Sequence, residues 1–308
     1  MGGYSATACV SCLLLSLVFH QVCGTMKFAC TVHPLPLMPH LFRFLHFRIL
    51  QCAIALFLFS SMLLGAEKAE VLPLAAGTEW ATDLHIRRSG EPGPVLMIVG
   101  GVHGNETAGI RAATKIVEYP ILRGTLLVLP KANRKAIQTR TRVEQNGGSD
   151  LNRDFPLVAG KEGREASTNK ILVEEILRVI REYKVEWIVD LHESKNYSLA
   201  KEKSAVGHSV IYTPSKCESA KELAQKIIDT INKGIDVPEQ KWILRRPPVL
   251  GSLTRSGATL CDAHTMIVET CQKDNLEQRV AYHLSAVDTA LIHLQMKKAT
   301  PKEGLVVP

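Results

Sequence analysis

Pro94-Val95-Leu96-Met97-Ile98-Val99-Gly100-Gly101-Val102-His103-Gly104-Asn105-Glu106 decides the fold. Residues 94–100 form a short, continuous apolar run. Such a run suits a strand buried on both faces, the hallmark of a parallel sheet covered by helices. The glycines that follow allow a tight, unusual turn. Helical spacing then runs from Glu106 to Tyr119, with Glu106 expected in the first helical turn, where a carboxylate also meets the helix dipole favourably. His103 and Glu106 make a His-x-x-Glu pair at the carboxyl end of a buried strand, where open α/β sheets bind ligands.

Working outward, apolar runs and helical patterns alternate. Strands are expected at Trp80–Arg87, Thr125–Leu129, Glu186–Leu191, Ser209–Thr213 and Trp242–Leu244, and at Thr259–Val268 with an irregular middle. Helices are expected over Arg164–Lys184, Glu218–Ile231 and Leu276–Met296. The polar, glycine-containing stretch from Asn133 to Gly160 is expected to be an irregular functional loop. The alternation predicts one α/β domain with a mixed, mostly parallel twisted sheet and helices on both faces.

The first 66 of the 308 residues contain no Asp or Glu, yet hold five of the eight cysteines. A basic segment from Met38 to Arg48 leads into the apolar stretch Ile49–Leu64, which ends in Leu64-Gly65-Ala66. That order reads as a secretory leader cleaved after Ala66, with Met38 as an alternative start and an uncleaved anchor as the other reading. The expected catalytic domain is then residues 67–308, exported to the periplasm or medium, without stable membrane association once the leader is cut. Loss of Lys27, Arg43 and Arg48 takes the net charge from +7 to +4. With no long basic run, this does not suggest a nucleic-acid partner. Cys217, Cys261 and Cys271 remain, with no Cys-x-x-Cys, so a disulfide scaffold is not expected and at most one bridge can form.

Three further motifs join the first. Asp150-Leu151-Asn152-Arg153 offers an arginine fork for a carboxylate, Asp190-Leu191-His192 a second histidine, and Val268-Glu269-Thr270 a spare acid. His103, His192 and Glu269 all fall at or just past the carboxyl ends of expected strands. Two histidines and a carboxylate form a ligand set used by catalytic zinc when its fourth position stays open. Metal-bound histidines usually give their other ring N–H to a carboxylate or carbonyl. Asp150 is the expected partner of His103, and Asp190 the weaker candidate. Glu193 competes with Glu269 as the base, but strand alternation turns it away from His192. His85, His208, His264 and His283 lack partner spacing and read as structural or surface residues.

Gly-Gly-Val-His-Gly-Asn-Glu (100–106), Asp-Leu-Asn-Arg-Asp-Phe-Pro (150–156), Asp-Leu-His-Glu (190–193) and Glu269 together resemble the zinc carboxypeptidase superfamily. Their flavour is most similar to its succinylglutamate desuccinylase/aspartoacylase branch. The resemblance covers roughly residues 80–297. It implies one zinc ion on His103, Glu106 and His192, with Glu269 as general base and acid. It also implies Asn152 and Arg153 holding the substrate carboxylate, and an upstream arginine polarising the scissile carbonyl. That arginine is expected to be Arg142, ahead of Arg140 and Arg134. The implied reaction is hydrolysis of an amide beside a carboxylate, in a short peptide, such as one from a cell wall, or in an N-acyl amino acid. An exported binding protein without turnover is the non-enzymatic reading. Pro248–Ala258 lacks the tyrosine that digestive carboxypeptidases place there. The desuccinylase/aspartoacylase enzymes carry an extra C-terminal β-domain, whereas this sequence ends soon after its last expected helix, so a more open pocket is expected.

Overall fold

The computed structural model describes residues 68–145, 147–158, 167–197, 206–214, 218–245 and 247–299. The expected leader and Cys217 lie outside them. The described residues fall in one compact unit. The strands are β1 (Lys68–Leu74), β2 (Thr82–Arg88), β3 (Val95–Gly100), β4 (Thr125–Leu129), β5 (Trp187–Ser194), β6 (Ser209–Tyr212), β7 (Ile243–Arg245) and β8 (His264–Cys271). The helices are α1 (Thr107–Ile116), α2 (Arg134–Thr139), α3 (Lys170–Glu182), α4 (Ser219–Asn232), α5 (Leu253–Cys261) and α6 (Leu276–His293). Short 3₁₀ turns cover Leu151–Arg153 and Pro238–Gln240.

One sheet runs β1-β2-β4-β3-β5-β8-β6-β7. Its centre, β4-β3-β5-β8, is parallel, while β1, β2 and the β6–β8 pairing add antiparallel contacts. This is the expected mixed α/β sheet. Strand alternation sorts β5 into two sets. Trp187, Val189 and Leu191 enter a core with Ala112 and Ile116 of α1, Leu223 and Ile227 of α4, and Val287 of α6. Ile188 enters the opposite core with Ile176 of α3 and Leu253 of α5. Helices therefore cover both faces. Among the described residues, no helix is long and apolar enough to cross a membrane.

Two expectations need correction. The span 259–268 is not one strand. Ser252 caps α5 by accepting from the Arg255 amide, the helix runs to Cys261, and Asp262 ends it in the left-handed conformation before β8 begins at His264. The β-prone residues Thr259, Leu260 and Cys261 are overridden by this cap and by burial of Leu253, Thr254 and Ser256. The polar stretch from Asn133 is not wholly irregular either. Asn133 caps α2 by accepting from the Ala136 amide. Neither Cys261 nor Cys271 is in a disulfide.

Two glycines bring the functional loop into place by close approach. A side chain at Gly104 would put its Cβ 2.0 Å from the Ala136 carbonyl, so the His103 loop rests directly on α2. At Gly109 it would lie 2.6 Å from the Leu191 carbonyl, so α1 rests directly on β5. In both cases the obstacle is backbone, which cannot rotate aside as a side chain can. Gly104→Ala is expected to cost at least about 2 kcal/mol in urea unfolding, in the range for overpacked sites. Wild-type stability in that variant would contradict the packing.

Candidate metal centre

The β3–α1 turn, β5 and β8 deliver the central residues. Glu106, expected in the first turn of the helix, sits at the N-cap of α1, one residue before the helix begins, and its side chain caps nothing. Instead it lies between two imidazoles. Its Oε1 is 2.7 Å from His103 Nδ1 and its Oε2 is 2.8 Å from His192 Nδ1. The imidazoles meet edge to face with centroids 4.9 Å apart. All three residues are buried, at 2–3% exposure.

The outer nitrogens are held by carboxylates. His103 Nε2 is 3.0 Å from Asp150 Oδ1, and His192 Nε2 is 2.9 Å from Asp190 Oδ2. Asp190 is thus as closely engaged as Asp150. Asp150 also accepts the Asn152 amide and the Arg142 guanidinium. With each Nε2 engaged, each Nδ1 faces the shared centre.

Whether these residues suit a metal can be tested on their geometry. One ligand atom from each of His103, Glu106 and His192 lies within 4.8 Å of the others. Despite its 2.8 Å approach to His192, Glu106 Oε2 makes no properly directed hydrogen bond. While Oε1 pairs with His103, Oε2 is thus a buried acceptor left unsatisfied among the ligand atoms, which a cation held there would satisfy. Two neutral imidazoles and a carboxylate fit a divalent zinc with an open coordination position, backed by the outer carboxylates such ligands require.

Charge reinforces the arrangement. Burial alone would raise the Glu106 carboxyl, but the two histidines hold it far below the usual carboxylate range. Burial likewise disfavours charged imidazoles, yet Glu106 and the outer aspartates raise both His103 and His192. Burial would also raise Asp150, but His103, Arg142 and Arg153 depress it.

Glu269 is the register partner of His192 across the parallel β5–β8 pair. It lines the same cleft, of about 450 Å³, as the three central residues, Arg142, Asn152 and Arg153. Burial, followed by repulsion from Glu106 and Asp190, overcomes the attraction of the two histidines and brings Glu269 to about 7. Arg142 spans Asp150 and approaches Glu106, with its third nitrogen 3.6 Å from Oε1. Arg140 occupies the left-handed C-cap of α2, and Arg134 donates to the Ala81 carbonyl. Neither lines the cleft. Asn152 Oδ1 accepts the Leu253 amide, and Arg153 donates to the Asn152 carbonyl.

Glu193 turns to the opposite face of β5, where it accepts the Ala108 amide and pairs with Arg279. Of the four histidines read as structural or surface residues, two are buried: His208 engages Asp274 and stacks on Trp242, and His283 meets Thr270. Burial lowers His283 to about 3, so it is neutral. His264 packs against Trp187, and His85 lies part-buried on β2. Sequence reasoning did not find Lys195, Ile211, Arg245, Val249 or Ile267 in the cleft wall. Only Ile267 had a local signal, its place two residues before Glu269 on one strand face. Ile211 and Arg245 arrive through the β8–β6–β7 pairing, which local patterns do not reveal.

Fold and site together describe an α/β domain with a two-histidine, one-glutamate centre at the carboxyl edge of its parallel strands. Residues 92–203 match the Succinylglutamate desuccinylase/Aspartoacylase catalytic domain. The chain is similar to that branch of the zinc carboxypeptidase superfamily, a family of hydrolases, as its motifs imply. Among solved structures, it is similar to the Gln46His variant of Csd4, a cell shape determinant protein of Helicobacter pylori. They share 20% identity at a TM-score of 0.59, over 69% of this chain and 54% of Csd4. The chain thus spans about half the length of that relative. An aspartoacylase family protein from Mesorhizobium loti shares 20% identity at TM-score 0.55, over 76% of this chain and 68% of its own. A candidate metallopeptidase from Shewanella amazonensis has the same identity and TM-score, over 80% and 93%. No curated protein matches the chain.

Asp190→Asn should weaken zinc binding roughly 10- to 100-fold, the usual cost of losing a carboxylate behind a ligating histidine. Chelator competition measures this, and unchanged affinity would remove Asp190 from the centre.

Proposed function

We propose that this chain is a zinc-dependent amidohydrolase of carboxypeptidase type, acting on short peptides, such as those of a cell wall, that end in a free carboxylate. The observation that carries this reading is the convergence of His103, Glu106 and His192, with Glu269 beside them in register. Csd4, described in its mDAP-bound form as a D,L-carboxypeptidase, supplies a precedent on this fold.

His103 Nδ1, a Glu106 oxygen and His192 Nδ1 would hold one zinc ion. When bound, zinc supplies Lewis-acid polarisation and lowers the pKa of nearby water. Asn152 and Arg153 bind the substrate carboxylate, the arginine through its planar fork. Arg142, kept in place by Asp150, faces the carbonyl oxygen and stabilises the negative charge that grows there. Glu269 accepts a proton from water as the water oxygen bonds to the carbonyl carbon. It then gives that proton to the amine nitrogen as the C–N bond breaks. Burial beside the cleft raises this carboxyl's proton affinity, which supports its taking the proton from water and returning it to the amine.

The match to the desuccinylase/aspartoacylase catalytic domain favours a second reading, an N-acyl-amino-acid deacylase using the same residues. A panel of short peptides and N-acyl amino acids separates the two by their kcat/KM values. Binding across the panel without any turnover would support the third reading, an exported binding protein. The acid-free basic-then-apolar leader supports export with cleavage after Ala66. A secreted product beginning at Glu67 by mass spectrometry is expected, and retention of residues 49–64 would favour an anchor.

Glu269→Gln should retain one equivalent of zinc and lose about 10²- to 10⁴-fold in kcat on the best substrate, the usual worth of general acid–base catalysis. Near-normal kcat would remove Glu269 from its role. Arg153→Met should act mainly on KM, raising it roughly 10- to 100-fold for substrates with the carboxylate, as expected for a lost charged hydrogen bond.

A further inference from the structure

Glu193 follows the metal-facing His192 directly, yet its side chain lies on the other face of β5, fully buried. One carboxylate oxygen accepts the amide of Ala108, 3.1 Å away, in the first turn of α1. The other pairs with Arg279 of α6. Arg279 in turn donates to the Asp274 carbonyl in the β8–α6 turn, a few residues past Glu269. Ala108 is two residues from Glu106, so a single buried carboxylate ties the element carrying the His-x-x-Glu pair to the strand carrying the second histidine.

The first amides of a helix have no partner within it, and a carboxylate there also meets the positive end of the helix dipole. The same location could serve helix stability alone. What sets it apart is connection: β5 carries His192, the N-cap of α1 is Glu106, and the β8–α6 turn follows the end of the strand that carries Glu269, and Glu193 with Arg279 touches β5, α1 and that turn. Burying two charges is costly, and a buried ion pair often contributes little net stability compared with apolar replacements. A role in fixing relative position accounts for keeping it.

Resting on the metal-centre reading above, we infer that Glu193, together with Arg279, is a positioning residue that fixes the spacing of the His103–Glu106 pair from His192 and so sets metal affinity. Glu193 borders the same cleft, but its carboxylate oxygens are taken by the Ala108 amide and Arg279, so it acts through position and is not a catalytic residue.

The test is Zn²⁺ affinity, measured by chelator competition on the full chain, beside thermal melting of the metal-free protein. Glu193→Gln keeps an acceptor for the Ala108 amide but loses the ion pair, and should weaken Zn²⁺ severalfold. Glu193→Ala loses both and should weaken it at least tenfold, with Arg279→Met close behind. Val287→Ala, a core truncation in α6 remote from the network, serves as the control for a purely structural effect. It should lower the melting temperature and leave Zn²⁺ affinity unchanged. If Glu193→Ala does not fold, Glu193→Gln decides alone. Wild-type affinity in a folded Glu193 variant overturns the inference, as does an equal loss in Val287→Ala. Wild-type protein that binds no Zn²⁺ would instead overturn the metal-centre reading itself.

Discussion

Everything at the carboxyl edge of this sheet depends on one buried glutamate between two imidazoles. Glu106 has almost no access to solvent, yet its surroundings hold it ionised. A charge in that position is costly unless something compensates it. Here the compensation comes in two layers: His103 and His192 on either side of the carboxylate, then Asp150 and Asp190 behind the imidazoles. The outer layer does more than balance charge. By occupying each Nε2, it fixes which ring nitrogen faces the centre, so the inner atoms converge instead of rotating toward separate partners.

The sheet makes that convergence possible. β3, β5 and β8 run parallel side by side, so their carboxyl ends lie at one edge. His103 arrives from the loop after β3, His192 from the end of β5, and Glu269 from the residue facing His192 on β8. The loops then come close enough only because two backbone-to-backbone approaches are allowed, at Gly104 against α2 and Gly109 against β5. Packing precision on the far side of the sheet therefore bears directly on geometry at the edge. The network through Glu193 and Arg279 belongs to the same logic, since it joins the three elements from below.

Much of this was legible in the sequence because the signals were local. The apolar run 95–99 could bury both faces only as a central strand, and alternation in 187–192 separated His192 from Glu193. Thr125–Leu129 has the same bounds in sequence and structure. The failures have physical reasons. Residues 259–261 look like strand by composition, but a capping serine and tertiary burial make them helix. The short helix α2 hid in a polar stretch, since its six residues are too few to show a period, and its only cue was the capping Asn133. Arg245 and Ile211 reached the cleft through register alone, and register between distant strands cannot be read from either strand by itself.

The most direct test is anomalous diffraction at the zinc absorption edge on crystals grown with one equivalent of zinc. The account predicts a single strong peak between His103 Nδ1, His192 Nδ1 and a Glu106 oxygen, with metal–nitrogen distances of about 2.0–2.1 Å. Absence of a peak there, or a peak bound through Nε2 with Asp150 and Asp190 displaced, would contradict it.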